Sequence, residues 1–117
     1  EDYRIYVSQR APDLTWTVPS AISNLGQHAK VPSLAMDENG SYAVSWQRSN
    51  GHDWIIQASI WDPTDSIWSV PVSISETGNT AFWSTLSWDG TGEYSAFWAR
   101  QDGQYYRLEQ RGAVVSP

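Results

Sequence analysis

Cysteine is absent from this chain of 117 residues. Disulfide bridges, thiolate catalysis and cysteine-ligated metals are thereby excluded. Lysine and methionine each occur once, at Lys30 and Met36, so two of the side chains that best suit helices are scarce. No apolar run approaches the roughly 18 residues of a membrane-spanning helix, and no signal peptide is visible. Basic residues are also few: seven Lys and Arg stand against thirteen Asp and Glu, a formal net charge of -6. A phosphate backbone demands a basic face, so nucleic acid is not an expected partner, and neither is an anionic membrane. There is no glycine-rich phosphate loop and no serine elbow. His28 and His52 have no second His or Cys at metal-ligand spacing and read as loop residues. No metal, no cofactor and no catalytic residue is expected, and the chain is not expected to be an enzyme.

What the chain does have is tryptophan, eight in all, and a repeat. Shifted by 52 positions, Trp16 falls on Trp68, Pro19 on Pro71, Ile22 on Ile74 and Gly26 on Gly78. Leu34 then meets Leu86, Asp37 meets Asp89, Tyr42 meets Tyr94, Trp46 meets Trp98 and Arg48 meets Arg100. From Trp16/Trp68 to Ser59/Arg111 the match runs without a gap and gives 14 identities in 44 pairs. A fixed period of this length is the mark of a repeat architecture. Each Trp ring can bury about 200 Å², so a small unit can build a core from tryptophan alone.

Within one period the pattern is that of strands. Residues 31–37 suit a strand, and Asp37-Glu-Asn-Gly40 suits a turn whose Asp bonds to backbone N–H groups. In 41–48, Tyr42, Val44 and Trp46 alternate with small Ala43 and Ser45, which predicts a second strand. A third is expected over 53–61 and a fourth over 67–74, the last outermost because Pro71 cannot donate to a ladder. The second copy supplies strands at 83–88, 93–100 and 105–111. The N-terminus supplies an earlier third and fourth strand, with Asp2, Ile5 and Ser8 matching Asp53, Ile56 and Ser59 at an offset of 51. No strand is assigned to the tail from Gly112 to Pro117. The fold expected is all-β, a β-propeller segment of about two four-stranded antiparallel blades: a half blade at 2–23, a full blade at 30–75 and a partial blade at 82–111.

The runs P-S-L-A-x-D-x-x-G-S-Y-A-V-x-W-Q-R, I-Q-A-S-x-W-D and W-S-V-P-V-x-I-S resemble the repeat of bacterial β-propellers of the sialidase-like (BNR-type) superfamily. The resemblance spans nearly the whole chain and implies the propeller fold. The Asp-box of that superfamily, S-x-D-x-G-x-T-W, is not reproduced; Ser87-Trp-Asp89-Gly-Thr-Gly92 comes nearest. Sialidase catalysis implies an arginine triad, a tyrosine nucleophile and an acidic Asp spread over a whole propeller, and two blades do not hold that set.

An open ring leaves apolar blade faces in water, so closure by other copies of the chain, as in small lectins built from two-blade subunits, is the expectation. A longer propeller of which this is a piece is the alternative. Closure by copies presents strand three twice, at 3–9 and at 105–111, so one of the two has to be displaced or pair at an edge. The candidate ligand-binding residues are Trp46, Arg48 and Trp54, which recur as Trp98, Arg100 and Tyr106; the plainer reading makes these aromatics blade core and the Arg a cap at a strand end. Aromatic faces stack on sugar rings, and Arg donates to hydroxyls or a carboxylate. The function expected is non-enzymatic binding, with carbohydrate the first choice and protein the second. A self-assembling scaffold or a fragment of a sialidase-like enzyme are the other readings. The chain starts at Glu1 rather than Met, which suggests a processed or excised product, either a secreted or cell-surface protein or a domain cut out of a longer one.

Overall fold

The structure is a computed structural model and describes residues 3–78, 80–90 and 93–112. Asp2, Gly92 and the tail 113–117, which entered the sequence reading, lie outside the described residues. The fold is all-β with antiparallel sheets, and no helix occurs among the described residues. Ten strands follow in chain order: β1 Tyr6–Val7, β2 Ser20–Ala21, β3 Ala29–Met36, β4 Tyr42–Ser49, β5 Trp54–Asp62, β6 Ile67–Trp68, β7 Val72–Ser73, β8 Ala81–Trp88, β9 Tyr94–Asp102 and β10 Tyr105–Arg111.

The central sheet runs β3-β4-β5, with β6 and β7 both pairing the outer edge of β5. The single fourth strand expected over 67–74 is therefore two short pieces. Pro71 lies in the gap and has no N–H to give the ladder. The side chain of Ser69 steps in, its hydroxyl accepting from Ile60 N at 2.9 Å while its carbonyl accepts from Ser59 Oγ at 2.7 Å. The second sheet is β8-β9-β10, and the N-terminal pair β1-β2 forms a small third one.

Turn chemistry follows the sequence. Asp37 Oδ1 accepts from Asn39 N at 2.8 Å and Ser41 N at 2.9 Å, and Asp89 Oδ1 accepts from Glu93 N at 3.3 Å. The N-terminal hairpin repeats the bonding of β5 with its outer partners. Ile5 N donates to Ser23 Oγ at 2.9 Å, as Ile56 N donates to Ser75 Oγ at 2.8 Å. Ser8 Oγ donates to Thr17 O at 2.6 Å, matching Ser59 Oγ with Ser69 O.

The three sheets stack in series. On one side of the central sheet, Ile5 and Ile22 of the hairpin pack with Ala29, Val44 and Trp46. On the other side, Ala43, Ile56, Ala58 and Ile60 pack with Leu86, Tyr94, Ala96 and Trp98 of the second sheet. Period-two alternation along β4 makes this double burial feasible: its even residues face the hairpin and its odd ones face β8. Polar contacts also stitch the second interface. Ser45 Oγ lies 2.7 Å from Ser84 Oγ, Gln47 Oε1 accepts from Trp83 N at 3.1 Å, Ser33 Oγ accepts from Leu86 N at 3.3 Å, and Tyr94 OH donates to Ser41 O at 3.1 Å.

Candidate functional site

Trp46 and Trp98 are not available for stacking, which corrects the expected platform. Trp46 is fully buried and Trp98 nearly so. Each indole N–H is spent on the neighbouring strand, Trp46 Nε1 on Gln57 Oε1 at 3.3 Å and Trp98 Nε1 on Glu109 Oε1 at 3.0 Å. Gln57 and Glu109 are themselves one repeat apart. These rings are sheet core, held in place by a recurrent hydrogen bond.

Trp54 and Tyr106 lie elsewhere, at the start of β5 and of β10. In an antiparallel sheet the first and third strands start at the same end, so each of these rings meets the beginning of its own β3 or β8. At that end of the central sheet, His28 stands 5.4 Å from Trp54 and 5.1 Å from Tyr3, while Lys30 Nζ sits 4.9 Å over the Trp54 ring. At the same end of the second sheet, Trp83 lies 5.5 Å from Tyr106 and 5.2 Å from Phe82. Trp83 and Tyr106 are both exposed, and so is Tyr3. One aromatic cluster per sheet therefore recurs at one rim.

The backbone there is bent. Val31 and Trp83 open the bulges of β3 and β8 and carry φ of 58° and 54°. A bulky or β-branched residue is rare in that region of φ/ψ space and stores strain. Sequence reading missed both residues, since neither is a glycine and nothing in residue type marks the bend. The one available signal was their shared spacing of 52.

Beside the first cluster lies a polar groove of about 340 Å³, lined by Gly26, Gln27, His28, Arg48, Ser49, Asn50 and Gly51. His28 Nδ1 accepts from Tyr3 N at 2.9 Å, which assigns the ring proton to Nε2. Arg48 Nε and Gln27 Oε1 are buried without a hydrogen-bond partner among the described residues. Buried polar atoms ordinarily find partners, so such a donor and acceptor lining one groove call for an explanation. Arg100, the repeat mate of Arg48, shares the unpartnered Nε but has its Nη1 3.2 Å from Glu109 Oε2 in a half-buried ion pair. The structure thus brings Arg48 and Trp54 to one end of the central sheet, keeps Tyr106 at the matching end of the next, and ties Arg100 to a carboxylate.

His52 sits in the exposed turn after β4, its N–H bonded to Asn50 Oδ1 at 2.9 Å. No group of three or more His, Asp or Glu that could hold a metal occurs among the described residues. Compared with protein-family models, with curated proteins and with solved structures, the chain matches none.

Proposed function

We propose that the chain is a binding module whose sheets are blades of a β-propeller, and that its rim takes carbohydrate. Serial face-to-face stacking of antiparallel sheets, open on both outer sides, suits a segment of a ring. The single observation that carries the ligand reading is the pairing of an aromatic shelf with a polar groove. Trp54, His28 and Tyr3 supply the shelf; Gln27, Arg48, Ser49 and Asn50 line the groove with polar side chains that suit hydroxyls. Sugar rings present an apolar face and an equatorial fringe of hydroxyls, so the two halves match. Trp83 and Tyr106 repeat the shelf one blade later, and recurrent weak sites gain from multivalency.

A glycan array probed with the whole chain tests this, followed by titration of the best binder using tryptophan emission. Trp54→Ala is expected to abolish binding at the first site, and Tyr106→Ala to weaken it at the second, with unfolding midpoints little changed. Full retention of binding in the Trp54→Ala, Tyr106→Ala double variant overturns the reading, as does an array with no binder.

A further inference from the structure

Two outward surfaces of this chain are copies of surfaces that already meet inside it. Within the chain, β4 faces β8, with Ser45 against Ser84 and Gln47 against the backbone of Trp83. Moving each residue by one repeat gives Phe97 in place of Ser45, Ala99 of Gln47, Pro32 of Ser84 and Val31 of Trp83; Phe97, Pro32 and Val31 are exposed, while the small Ala99 is covered by its own sheet. Both polar pairs become apolar ones together, Phe97 with Pro32 and Ala99 with Val31. Had either flank been built for solvent, or for an unrelated surface, there would be no reason for the two changes to match.

The other two contacts also keep their chemistry. Leu86 N–H, which finds the Ser33 hydroxyl, is replaced by Leu34, and the Ser33 hydroxyl by that of Thr85. Tyr94 is replaced by Tyr42, and the Ser41 carbonyl by that of Glu93. The Glu93 carbonyl already accepts from Asp89 N at 3.1 Å, just as the Ser41 carbonyl accepts from Asp37 N at 3.0 Å. Exposure agrees with a missing partner: Leu34 is 64% exposed where Leu86 is 6% exposed. An apolar groove between the N-terminal hairpin and the central sheet, lined by Trp16, Leu34, Tyr42 and Trp68 among others, marks the seat.

We infer that a second copy of this chain docks here, its β8-β9 pair entering the groove so that Phe97 lies on Pro32. The inference rests on reading the sheets as stacked blades and is independent of the first shelf, at Trp54, whereas moving β10 takes Tyr106 away from Trp83. In this arrangement β10 of the entering copy and β1 of the receiving copy claim the same edge of β9. Ile5 occupies by repeat the place of Leu108, yet Ile5 is buried against Val44 and Trp46 while Leu108 is 82% exposed. Leu108 stays uncovered without a partner, so β10 is the strand that yields, giving up its ladder with β9 and the Glu109 bonds to Trp98 and Arg100. The composite sheet then takes β8 and β9 from one copy and β1 and β2 from the next, and head-to-tail repetition of this contact closes a ring.

Because the chain lacks cysteine, introduced thiols test the contact cleanly. Ser45→Cys with Ser84→Cys in one chain is the internal control and should close an intramolecular disulfide. Pro32→Cys and Phe97→Cys, made separately, should give disulfide-linked dimer when mixed and oxidised, and little when oxidised alone. Val31→Cys with Ala99→Cys is a second pair at the same contact, should either first variant fail to fold. Ala99→Cys with Leu108→Cys in one chain locks β10 onto β9, where these residues are direct partners. The locked form should sediment as monomer, and assembly should return on reduction. The inference is overturned if mixing gives no more dimer than the single variants while the control closes. Assembly of the locked chain equal to that of the reduced chain overturns it as well.

Discussion

The Tyr94 hydroxyl donates to the Ser41 carbonyl at 3.1 Å, across the interface between the second sheet and the central one. Tyr94 is fully buried, and the carbonyl it reaches also serves the Asp37 turn. The bond therefore ties sheet stacking to a hairpin. Tyr94→Phe should lower stability by about 1 kcal/mol, the net worth of one such bond, read as a shift of the urea midpoint with an unchanged slope.

The same residue sets an alkaline limit. Burial raises the Tyr94 pKa above its ordinary value of 10.0, opposed by the side-chain hydroxyl of Ser41 and helped by the nearby Asp37 carboxylate. The neutral phenol is thus favoured by folding. Its contribution is fully present below pH 10 and is lost as pH rises from there through the folded pKa. Stability measured from pH 8 to 12 should fall at the alkaline end, and less steeply in Tyr94→Phe than in the parent.

Ser45 and Ser84 form a buried hydroxyl pair, and removing one strands the other. Ser45→Ala alone should cost about 1–3 kcal/mol, whereas Ser45→Ala with Ser84→Ala should recover much of that loss. A double-mutant cycle in urea checks the coupling; additive single effects would show that the hydroxyls act independently.

Trp46 and Trp54 should separate stability from binding. Trp46 fills the core between hairpin and central sheet, so Trp46→Ala should cost about 3–5 kcal/mol. Trp54 lies at the half-buried rim, and its loss should be felt mainly in ligand titrations. Thermal melts of the two variants side by side settle the contrast; equal losses of stability would place Trp54 in the core.

Val31→Gly should stabilise the chain. A β-branched residue in the left-handed region costs about 1–2 kcal/mol, and Val31 is partly exposed, so little packing is lost. A gain of a few tenths to 1 kcal/mol is expected after the entropy of glycine is subtracted. A destabilised Val31→Gly, measured by urea unfolding, would mean that the side chain outweighs the strain.

Much of the fold was legible because repetition and alternation are both properties of spacing. Tyr42, Val44 and Trp46 read correctly as one face of one strand, and Asp37 read correctly as a turn residue bonded to N–H groups. Pro71 marked the outer strand but did not announce that the strand splits. What spacing does not supply is cover. Nothing in the alternation said which neighbour hides the Trp46 ring, so blade core and ligand platform both stayed open for it. Conversely, His28 looked solitary in sequence yet joins Tyr3 and Trp54, because β3, β5 and the N-terminal segment converge at one rim.

Leu14 and Ser66 carry φ of 73° and 57°, and Val31 and Trp83 form the second such couple, each separated by one period. The members of each couple share almost nothing as side chains. Torsion here is a property of address, not of amino acid: the surrounding ladder dictates the bend and accepts whatever residue stands there. A unit specified in that manner is portable, so a chain could lengthen by whole periods without any connecting loop having to be reinvented.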